Sequence, residues 1–231
     1  MSLKDHLTMS VIRVEDDAGR EQALSVMRAI YRDEKNWVRA DEKLVNLDDV
    51  GDEGVSWFVV RVGPRPVAVL RVLYNLPIDL YRHYGFKMTR PGFDLESFLR
   101  DNRIAEIGRF AVLPEFRKHI LVVGSLMRAA VKETIERDYT HYITDVFEGE
   151  ANSPYDFHRR VMGFQTVATH DTGELNCPCR RITMLLDLRE AYLRLRKEGK
   201  WVFRFLTKEW GEQHHRALLP EAAPQLSSVE G

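Results

Sequence analysis

The sequence predicts an α/β (α+β) fold in which a mixed, mostly antiparallel sheet carries helices on both faces. Segments rich in β-branched and aromatic residues alternate with segments of helical apolar spacing, as in Ile120–Arg137 followed by His141–Phe147. Two further apolar runs flank the turn Gly63-Pro64-Arg65-Pro66 and predict a hairpin. Strand–helix–strand units beside a hairpin favour a mixed sheet over a doubly wound parallel one.

The remaining elements follow from the same patterns, taken in chain order. Strands are expected at Met9–Glu15, Val55–Val62, Val67–Tyr74, Arg103–Val112, His141–Phe147, Phe164–Thr169 and Arg181–Leu188. Helices are expected at Ala18–Lys35, at Ile120–Arg137, and from Asn152 or Ser153 to Met162, where Gly163 ends the helix.

The chain is expected to divide into one main domain and a C-terminal appendage. Residues 1–188 hold the sheet, and residues 75–102 form an aromatic insert that either walls a pocket or packs on the core. Residues 189–211 predict a helical extension, and the Pro, Ala, Ser and Glu content of 212–231 predicts a disordered tail.

Composition limits the classes of function. The 231 residues include 34 basic and 35 acidic side chains, and this balance argues against nucleic acid as the main partner. The sequence contains no apolar run of the ~20 residues that a membrane span needs and no signal-peptide core. Cys177 and Cys179 are too few for a zinc framework, so no metal is expected, and two thiols suit a reducing cytoplasm.

The C-terminal extension is more basic than the rest of the chain. Between Leu188 and Trp210 there are seven Arg or Lys residues and three Glu residues, which leaves a charge of +4. Either a docked helix turns a basic face to solvent, or the extension binds an acidic partner.

The segment Ile104–Met127 carries most of the predicted chemistry. A strand ends at Pro114, three basic residues follow at 117–119, and a helix begins at Ile120. The first amides of a helix lack internal partners and lie at the positive end of its dipole, so they can bind a phosphate. This junction is therefore either a cradle for a phosphorylated group or an ordinary strand followed by a basic helix start, since the two look alike in sequence.

The phrase AEI-x-x-x-AV-x-PE-x-R and the order of elements over residues 10–188 resemble the GNAT superfamily of N-acyltransferases. The resemblance implies an acyl thioester donor, acyl-CoA or acetyl-CoA among them, whose pantetheine arm pairs with the strand at Phe110, Ala111 and Val112. It implies that the donor phosphate binds after the strand; the candidates there are Arg117, Lys118, His119, Val122, Gly124 and Ser125. It also implies a sheet that splays open beside Ala111.

A narrower branch of this superfamily accounts for the positions at which the sequence differs from the usual GNAT pattern. Lys118, Ile120 and Val122 stand where acetyl-CoA enzymes usually have glycines that admit a pyrophosphate. The strand E-x-x-R-F-x-V resembles that of acyl-homoserine lactone synthases and N-acyl amino acid synthases. The N-terminal residues that look similar to theirs are Arg28, Arg32, Trp37, Asp48 and Asp49. The donor implied there is acyl carrier protein, whose single phosphopantetheine lacks the pyrophosphate.

Glu106 is the candidate general base, because an amine that is protonated at neutral pH must lose a proton before it can attack. Its alternative role is a structural salt bridge to Arg109 or Arg71. Either arginine could bind an acceptor carboxylate, although strand alternation places Arg109 opposite Glu106 unless a bulge intervenes.

Other candidates complete the predicted site. Many GNAT enzymes protonate the leaving thiolate with a tyrosine before the G-F pair; here Tyr155 and His158 are the nearby replacements, and packing is the alternative for both. Trp37 and Tyr84, with Tyr81, Phe86 and Phe93, either line an acyl pocket or pack in the core.

The sequence thus predicts a cytoplasmic N-acyltransferase that acylates a small amine, most naturally an amino acid. An acetyl-CoA-dependent N-acetyltransferase and a catalytically silent GNAT-like binding module remain open alternatives, as does a homodimer.

Overall fold

The computed structural model describes residues 8–44, 52–74, 76 and 83–219. Within these ranges eight strands form one sheet. They are β1 (Met9–Arg13), β2 (Val55–Val62), β3 (Arg65–Leu73), β4 (Lys87–Met88), β5 (Ile104–Val112), β6 (His141–Phe147), β7 (Gln165–His170) and β8 (Arg181–Asp187).

Six α-helices accompany the strands in the same ranges. They are α1 (Asp17–Met27), α2 (Leu95–Asp101), α3 (Ile120–Glu136), α4 (Leu188–Glu198), α5 (Trp201–Leu206) and α6 (Glu212–Ala217). A π-helical segment, Arg28–Glu34, continues α1, and a second, Phe157–Met162, precedes β7. The helix predicted from Asn152 or Ser153 is therefore shorter, and Gly163 ends it with a left-handed φ of 93°.

The strand order β1-β2-β3-β5-β6-β8-β7-β4 confirms the mixed, mostly antiparallel sheet. Every neighbouring pair in it is antiparallel except β5 with β6, which are parallel. Parallel neighbours need a crossover, and α3 supplies it between the two strands. The parallel pair at the centre of the sheet positions the site described below.

Helices cover both faces at the centre of the sheet. Val59 and Val60 are consecutive in β2 and each is fully buried. Because successive strand residues point to opposite faces, both faces must be covered there. Helix α1 contacts β2, β3 and β5, while α3 contacts β1, β2 and β3. None of the helices in the described ranges is long and apolar enough to cross a bilayer.

The described part of the insert packs on the sheet more than it walls a pocket. Strand β4 pairs with β7 at the sheet edge, and Asp94 caps α2 through the amides of Glu96 and Ser97. A second apolar cluster gathers here around Leu95, Leu99, Ile104, Ile143, Val167, Ala168 and Leu185, with Tyr84, Phe86, Phe93 and Phe98 packed against it. Tyr81 lies outside the described residues, as do Asp48 and Asp49.

The extension continues further than the composition predicts. Residues 212–219, expected in a disordered tail, are described, and they are helical over Glu212–Ala217. His214 is buried there, and its Nε2 lies 2.9 Å from the Glu136 carboxylate at the end of α3. The backbone amide of Gly211 donates to Nδ1 of the same ring, so Nε2 carries the hydrogen and donates to the carboxylate. The hydrogen bond from His214 to Glu136 thus anchors this helix on α3.

Candidate active site

The site begins where β5 and β6 separate. The two strands pair in register from Ile104 with His141 to Glu106 with Ile143, after which no further pairing between them is seen in the described strands. The Thr144 hydroxyl donates to the Ile107 carbonyl at 2.8 Å and closes the joined end. Beyond it lies a cavity of about 420 Å³, lined by both strands up to Val112 and Phe147. The sheet therefore opens beside Ala111.

The cavity collects most of the residues singled out from the sequence. Those that line it are Trp37, Arg71, Tyr84, Glu106, Arg109, Phe110, Ala111, Val112, Arg117, Lys118 and His158. The candidates of the described chain that do not line it are Tyr155, His119, Val122, Gly124 and Ser125, together with Phe86, Phe93, Arg28 and Arg32.

Glu106 lies at the fork of the two strands, half-buried. An Arg71 Nη2–H donates to its Oε1 at 3.1 Å, so the carboxylate both lines the cavity and belongs to an ion pair. Gly108 makes room for this pair, because a Cβ added there would lie 2.6 Å from Glu106 Oε1 and 3.3 Å from Arg71 Nη2. The ion pair therefore explains, on steric grounds, why glycine occupies this position of the E-I-G-R phrase.

Arg109 reaches the same cavity as Glu106 because the strand is irregular. Its φ is 48°, in the left-handed region that non-glycine residues rarely occupy, and the pairing of β3 with β5 shifts between Val69 and Arg71. Because of this irregularity, the side chains of Glu106 and Arg109 both reach the cavity, although regular strand alternation would place them on opposite faces of the sheet. Arg109 Nη2 then donates to Glu174 Oε2 at 2.7 Å, which ties β5 to the loop between β7 and β8.

Sequence reasoning missed five charged residues of the cavity, namely Lys35, Asp145, Glu150, Glu174 and Arg181. Asp145 sits in the apolar strand HYITDVF, and a carboxylate there has a burial cost to explain, which is the signal that could have found it. Arg181 is buried and donates to the carbonyls of Asp171 at 2.8 Å and Leu175 at 2.6 Å.

Asp145 is held by a buried histidine. His170 Nε2 lies 3.0 Å from Asp145 Oδ2 and Nδ1 lies 2.7 Å from the Thr172 carbonyl. Because both partners are acceptors, the arrangement is satisfied when both ring nitrogens carry hydrogen. Tyr84 stacks on the same ring at 5.2 Å, and burial raises the pKa of its hydroxyl to about 12, so the phenol stays protonated.

His158 lies against the cavity, and its ring is surrounded by the rings of Phe110, Phe157 and Phe164. Its ring is 4.8 Å from that of Phe164 and 6.2 Å from that of Phe110. Burial lowers its pKa to about 4, because the charged imidazolium is disfavoured away from water. The ring is therefore neutral at pH 7. Tyr155, the alternative acid, packs at the edge of the main core.

The helix N-terminus presents less charge than the sequence predicts. Arg117 donates to both carboxylate oxygens of Glu34, and its Nε donates to the Val112 carbonyl at 3.1 Å. These hydrogen bonds lower the pKa of Glu34 and compensate the guanidinium charge. Lys118 is exposed at the cavity rim, and His119 is the helix-capping residue.

Val122, Gly124 and Ser125 face the core side of α3 and are all buried. A Cβ at Gly124 would lie 2.9 Å from the Phe205 ring, so this glycine admits the C-terminal extension. Packing accounts for Val122 and Gly124, whereas the Ser125 hydroxyl is buried with no hydrogen-bond partner among the described residues.

The strand expected to pair with the pantetheine arm already has protein partners. Tyr31 donates to the Phe110 carbonyl at 3.0 Å, and Arg117 occupies one lone pair of the Val112 carbonyl. A carbonyl oxygen has two lone pairs, so each can still accept from a ligand. Burial raises the pKa of Tyr31 to about 12, which keeps it a donor.

An aromatic wall closes one side of the cavity. Trp37 stacks on Tyr31 with ring centroids 5.9 Å apart and packs against Phe147 at 4.5 Å. The backbone carbonyl of Trp37 accepts from the Asn176 amide at 2.9 Å, which joins this wall to the loop that carries Glu174.

No protein-family model matches the chain, and no curated protein sequence does. Solved structures do match. FeeM, an N-acyl amino acid synthase from uncultured soil microbes, superposes with a TM-score of 0.61 at 15% identity over 86% of this chain and 98% of its own.

Two acetyltransferases are similar over a smaller share of the chain. The ribosomal-protein-S18-alanine N-acetyltransferase from Escherichia coli gives a TM-score of 0.51 at 12% identity over 78% of this chain and 94% of its own. Aminoglycoside 6'-acetyltransferase type Ii gives 0.53 at 12% identity over 78% and 96%. With the splayed parallel pair, these likenesses show that the chain has the fold of the GNAT N-acyltransferases.

Proposed function

We propose that this chain is an N-acyltransferase that moves an acyl group from a thioester to the amine of an amino acid. The observation that carries the proposal is the position of Glu106. Its carboxylate lies at the fork of β5 and β6, fixed by Arg71 at 3.1 Å, in a cavity that combines charged residues with an aromatic wall.

The reaction removes two protons from the acceptor nitrogen, one before the attack and one after it, and exchanges a C–S bond for a C–N bond. Glu106 takes a proton from the acceptor ammonium, directly or through a water molecule. The amine nitrogen attacks the thioester carbonyl, the new C–N bond forms and the C–S bond breaks, and the nitrogen loses its second proton to become the amide. A thiol ionises near pH 8.5, so its thiolate leaves without strong acid help and takes up a proton afterwards. Neutral His158 is suited to shaping the apolar cavity beside this step rather than to donating the proton.

An amino acid fits the charges around Glu106. The cavity lining carries charges of both signs: the carboxylates are Glu106, Asp145, Glu150 and Glu174, and the cations are Lys35, Arg71, Arg109, Arg117, Lys118 and Arg181. A zwitterion presents one charge of each sign and complements such a mixed set. Arg109 is the choice for the acceptor carboxylate, since its planar group can accommodate a second carboxylate beside Glu174.

The donor we favour is acyl carrier protein. Lys118, Ile120 and Val122 carry side chains where a pyrophosphate would need bare backbone, and the Arg117 charge is already compensated by Glu34. A single phosphate makes a smaller demand on the first amides of α3. The aromatic wall of Tyr31, Trp37 and Phe147 supports an acyl chain of medium or long length.

The test is mass spectrometry of lipid extracts from cells that overproduce the protein. We expect new N-acyl amino acids with the wild type and none with Glu106→Gln, because the amide keeps the shape of the carboxylate and cannot take the proton. The matched control is Glu15→Gln, which changes an exposed glutamate beyond β1 and should leave the products unchanged.

Other outcomes favour the alternatives. Acetyl-CoA turnover by the purified protein without new N-acyl amino acids would indicate an N-acetyltransferase. A product that persists in Glu106→Gln would remove that residue from its role as base. Absence of transfer from every thioester would indicate a binding module.

A further inference from the structure

The mouth of the cavity carries exposed apolar side chains. Ile120 and Leu121, at the start of α3, are 40% and 48% exposed, and Trp201, at the start of α5, is 46% exposed. Single exposed apolar residues are ordinary on protein surfaces, whereas a contiguous group with a polar rim marks an interaction site.

Three contacts show that the extension runs along α3 in the same direction. Phe205 lies over Gly124, Glu209 pairs with Arg128 at 3.1 Å, and His214 approaches the Glu136 carboxylate at 2.9 Å. Later residues of the extension therefore meet later residues of α3. By the same progression, residues before Phe205 lie toward the start of α3.

Trp201 is one helical turn before Phe205, and the two rings contact edge to face at 6.1 Å. This places Trp201 toward the end of α3 that exposes Leu121. Ile120, the neighbour of Leu121, lines the cavity, as does Lys118. The three apolar side chains therefore lie at the same end of α3, beside the cavity rim, and we call this set the mouth surface.

Basic residues border the mouth surface. Lys118, Lys200 and Arg204 are all exposed. Lys200 pairs with Glu198 at 3.1 Å, and an Arg204 Nη1–H donates to the Gly199 carbonyl. The extension that supplies two of them carries a net charge of +4. Charge of this sign around an apolar centre complements an acidic protein that presents a small apolar patch.

We propose that the mouth surface, made of Ile120, Leu121 and Trp201 with Lys118, Lys200 and Arg204 around them, is the docking surface for an acidic acyl carrier protein. This inference rests on the proposed acyl transfer. A phosphopantetheine arm that lies between β5 and β6 with its phosphate at the first amides of α3 leaves the protein here. The carrier to which it is attached must therefore contact these residues.

The test compares one acyl group on two donors. The probes are a bacterial fatty-acid acyl carrier protein loaded with a dodecanoyl chain and dodecanoyl-phosphopantetheine, which carries the same phosphate without the protein, each supplied with the proteinogenic amino acids. We expect Leu121→Glu and Trp201→Glu to raise KM for the carrier about tenfold, as loss of an interface anchor does, and to leave kcat/KM for the small thioester unchanged.

The variants are chosen to preserve folding. Leu121→Glu adds an acid to the first turn of α3, where the helix dipole favours it. Met88→Glu is the matched control, because Met88 is 40% exposed and lies in β4 at the opposite edge of the sheet. It should leave both donors unaffected. Equal effects of Leu121→Glu and Met88→Glu on the carrier would overturn the proposal.

Direct binding separates this proposal from the proposed activity. Calorimetric titration with the loaded carrier should show binding that weakens with salt and is lost in Trp201→Glu and Lys200→Glu. Carrier binding at this surface without turnover of any donor would contradict the activity and leave the docking surface standing. If the acylated carrier is turned over and these variants do not change that turnover, the result would support the activity and contradict the docking surface.

Two other occupants are tested in parallel. Cosedimentation with phosphatidylglycerol vesicles that requires Trp201, without carrier binding, would assign the surface to a membrane. A dimer in sedimentation velocity that dissociates in Leu121→Glu, again without carrier binding, would assign it to a second copy. Either result would overturn the proposal.

Discussion

An Arg71 Nη2–H donates to Glu106 Oε1 at 3.1 Å directly over the backbone of Gly108, so the position of the candidate base depends on a residue with no side chain. Arg71 and Gly108 are register partners in the pairing of β3 with β5. The guanidinium and the carboxylate fold back over the space that a Cβ would fill.

We therefore predict that Gly108→Ala displaces the Glu106 carboxylate without unfolding the protein. The Cβ would lie 2.6 Å from Oε1, and the side-chain end can move aside. Acyl transfer should fall by about tenfold, which is less than the roughly hundredfold or greater cost of losing a general base, because the carboxylate is displaced and not removed. Steady-state kinetics and thermal unfolding measure the two effects.

The control for this prediction is a double variant. In a Glu106→Gln background the carboxylate is already absent, and adding Gly108→Ala should cause little further loss. A further tenfold loss in the double variant would show that the alanine acts through something other than Glu106.

A second prediction concerns the left-handed backbone of Arg109. Glycine adopts a φ of 48° without strain, asparagine tolerates it, and valine does not. Arg109→Gly and Arg109→Asn should fold normally and raise KM for the acceptor amino acid, because the group that binds its carboxylate is gone. Arg109→Val should in addition be destabilised by about 1–3 kcal/mol.

Chemical denaturation of the three variants measures the order of stability. Equal stability of Arg109→Val and Arg109→Gly would contradict the left-handed conformation. An unchanged KM in Arg109→Gly would remove Arg109 from acceptor binding while leaving the backbone argument intact.

The third prediction is a pH dependence that comes from His158. Its pKa falls from an ordinary 6.5 to about 4 on folding, because burial disfavours the charged ring. Between these values the unfolded chain binds the proton and the folded chain does not, so stability rises with pH there. With respect to this histidine, the free energy of unfolding is therefore highest above about pH 6.5 and decreases as the pH falls toward 4.

His158→Phe should remove this slope, since phenylalanine suits the neighbouring rings of Phe110 and Phe164 and does not titrate. The shift corresponds to about 3 kcal/mol between pH 7 and pH 4. Urea denaturation of wild type and variant at several pH values gives the difference. His119→Ala, at an exposed histidine, is the control, and an identical slope in wild type and His158→Phe would contradict the prediction.

The sequence predicts the sheet and its helices well because periodicity is local. The hairpin of β2 and β3, the strand His141–Phe147 and helix α3 fall within a few residues of their expected bounds. The cavity depends on long-range geometry that no periodicity encodes. Glu174 reaches Arg109 from a loop, and Arg109 shares the cavity with Glu106 through an irregularity in β5.

Prediction of the donor-binding region from the sequence is limited in the same way. The spacing at 117–125 identifies a strand–helix junction, and it cannot tell that Glu34 compensates Arg117 or that Gly124 serves to admit Phe205. Both partners are distant in the sequence. Composition also hides the order of residues 212–219, because the anchor of that helix is a single buried histidine on Glu136.

The fourth prediction tests how the extension is attached. Gly124→Ala places a methyl group 2.9 Å from the Phe205 ring, which is closer than carbon atoms approach, so the ring and α5 must move. Overpacking of this kind costs about 1–3 kcal/mol. We expect limited proteolysis to cut the extension faster in Gly124→Ala than in wild type, while the sheet remains protected.

A smaller side chain at 205 should reverse the effect. Phe205→Leu removes the atoms that the methyl group meets, so the double variant Gly124→Ala/Phe205→Leu should be cleaved more slowly than Gly124→Ala alone. Because Trp201 is positioned through Phe205, Gly124→Ala should also weaken binding of the acyl carrier protein, and the double variant should recover part of it. Cleavage that is unchanged in Gly124→Ala would mean that the extension does not rest on this glycine, and the direction inferred for α5 along α3 would lose one of its three contacts.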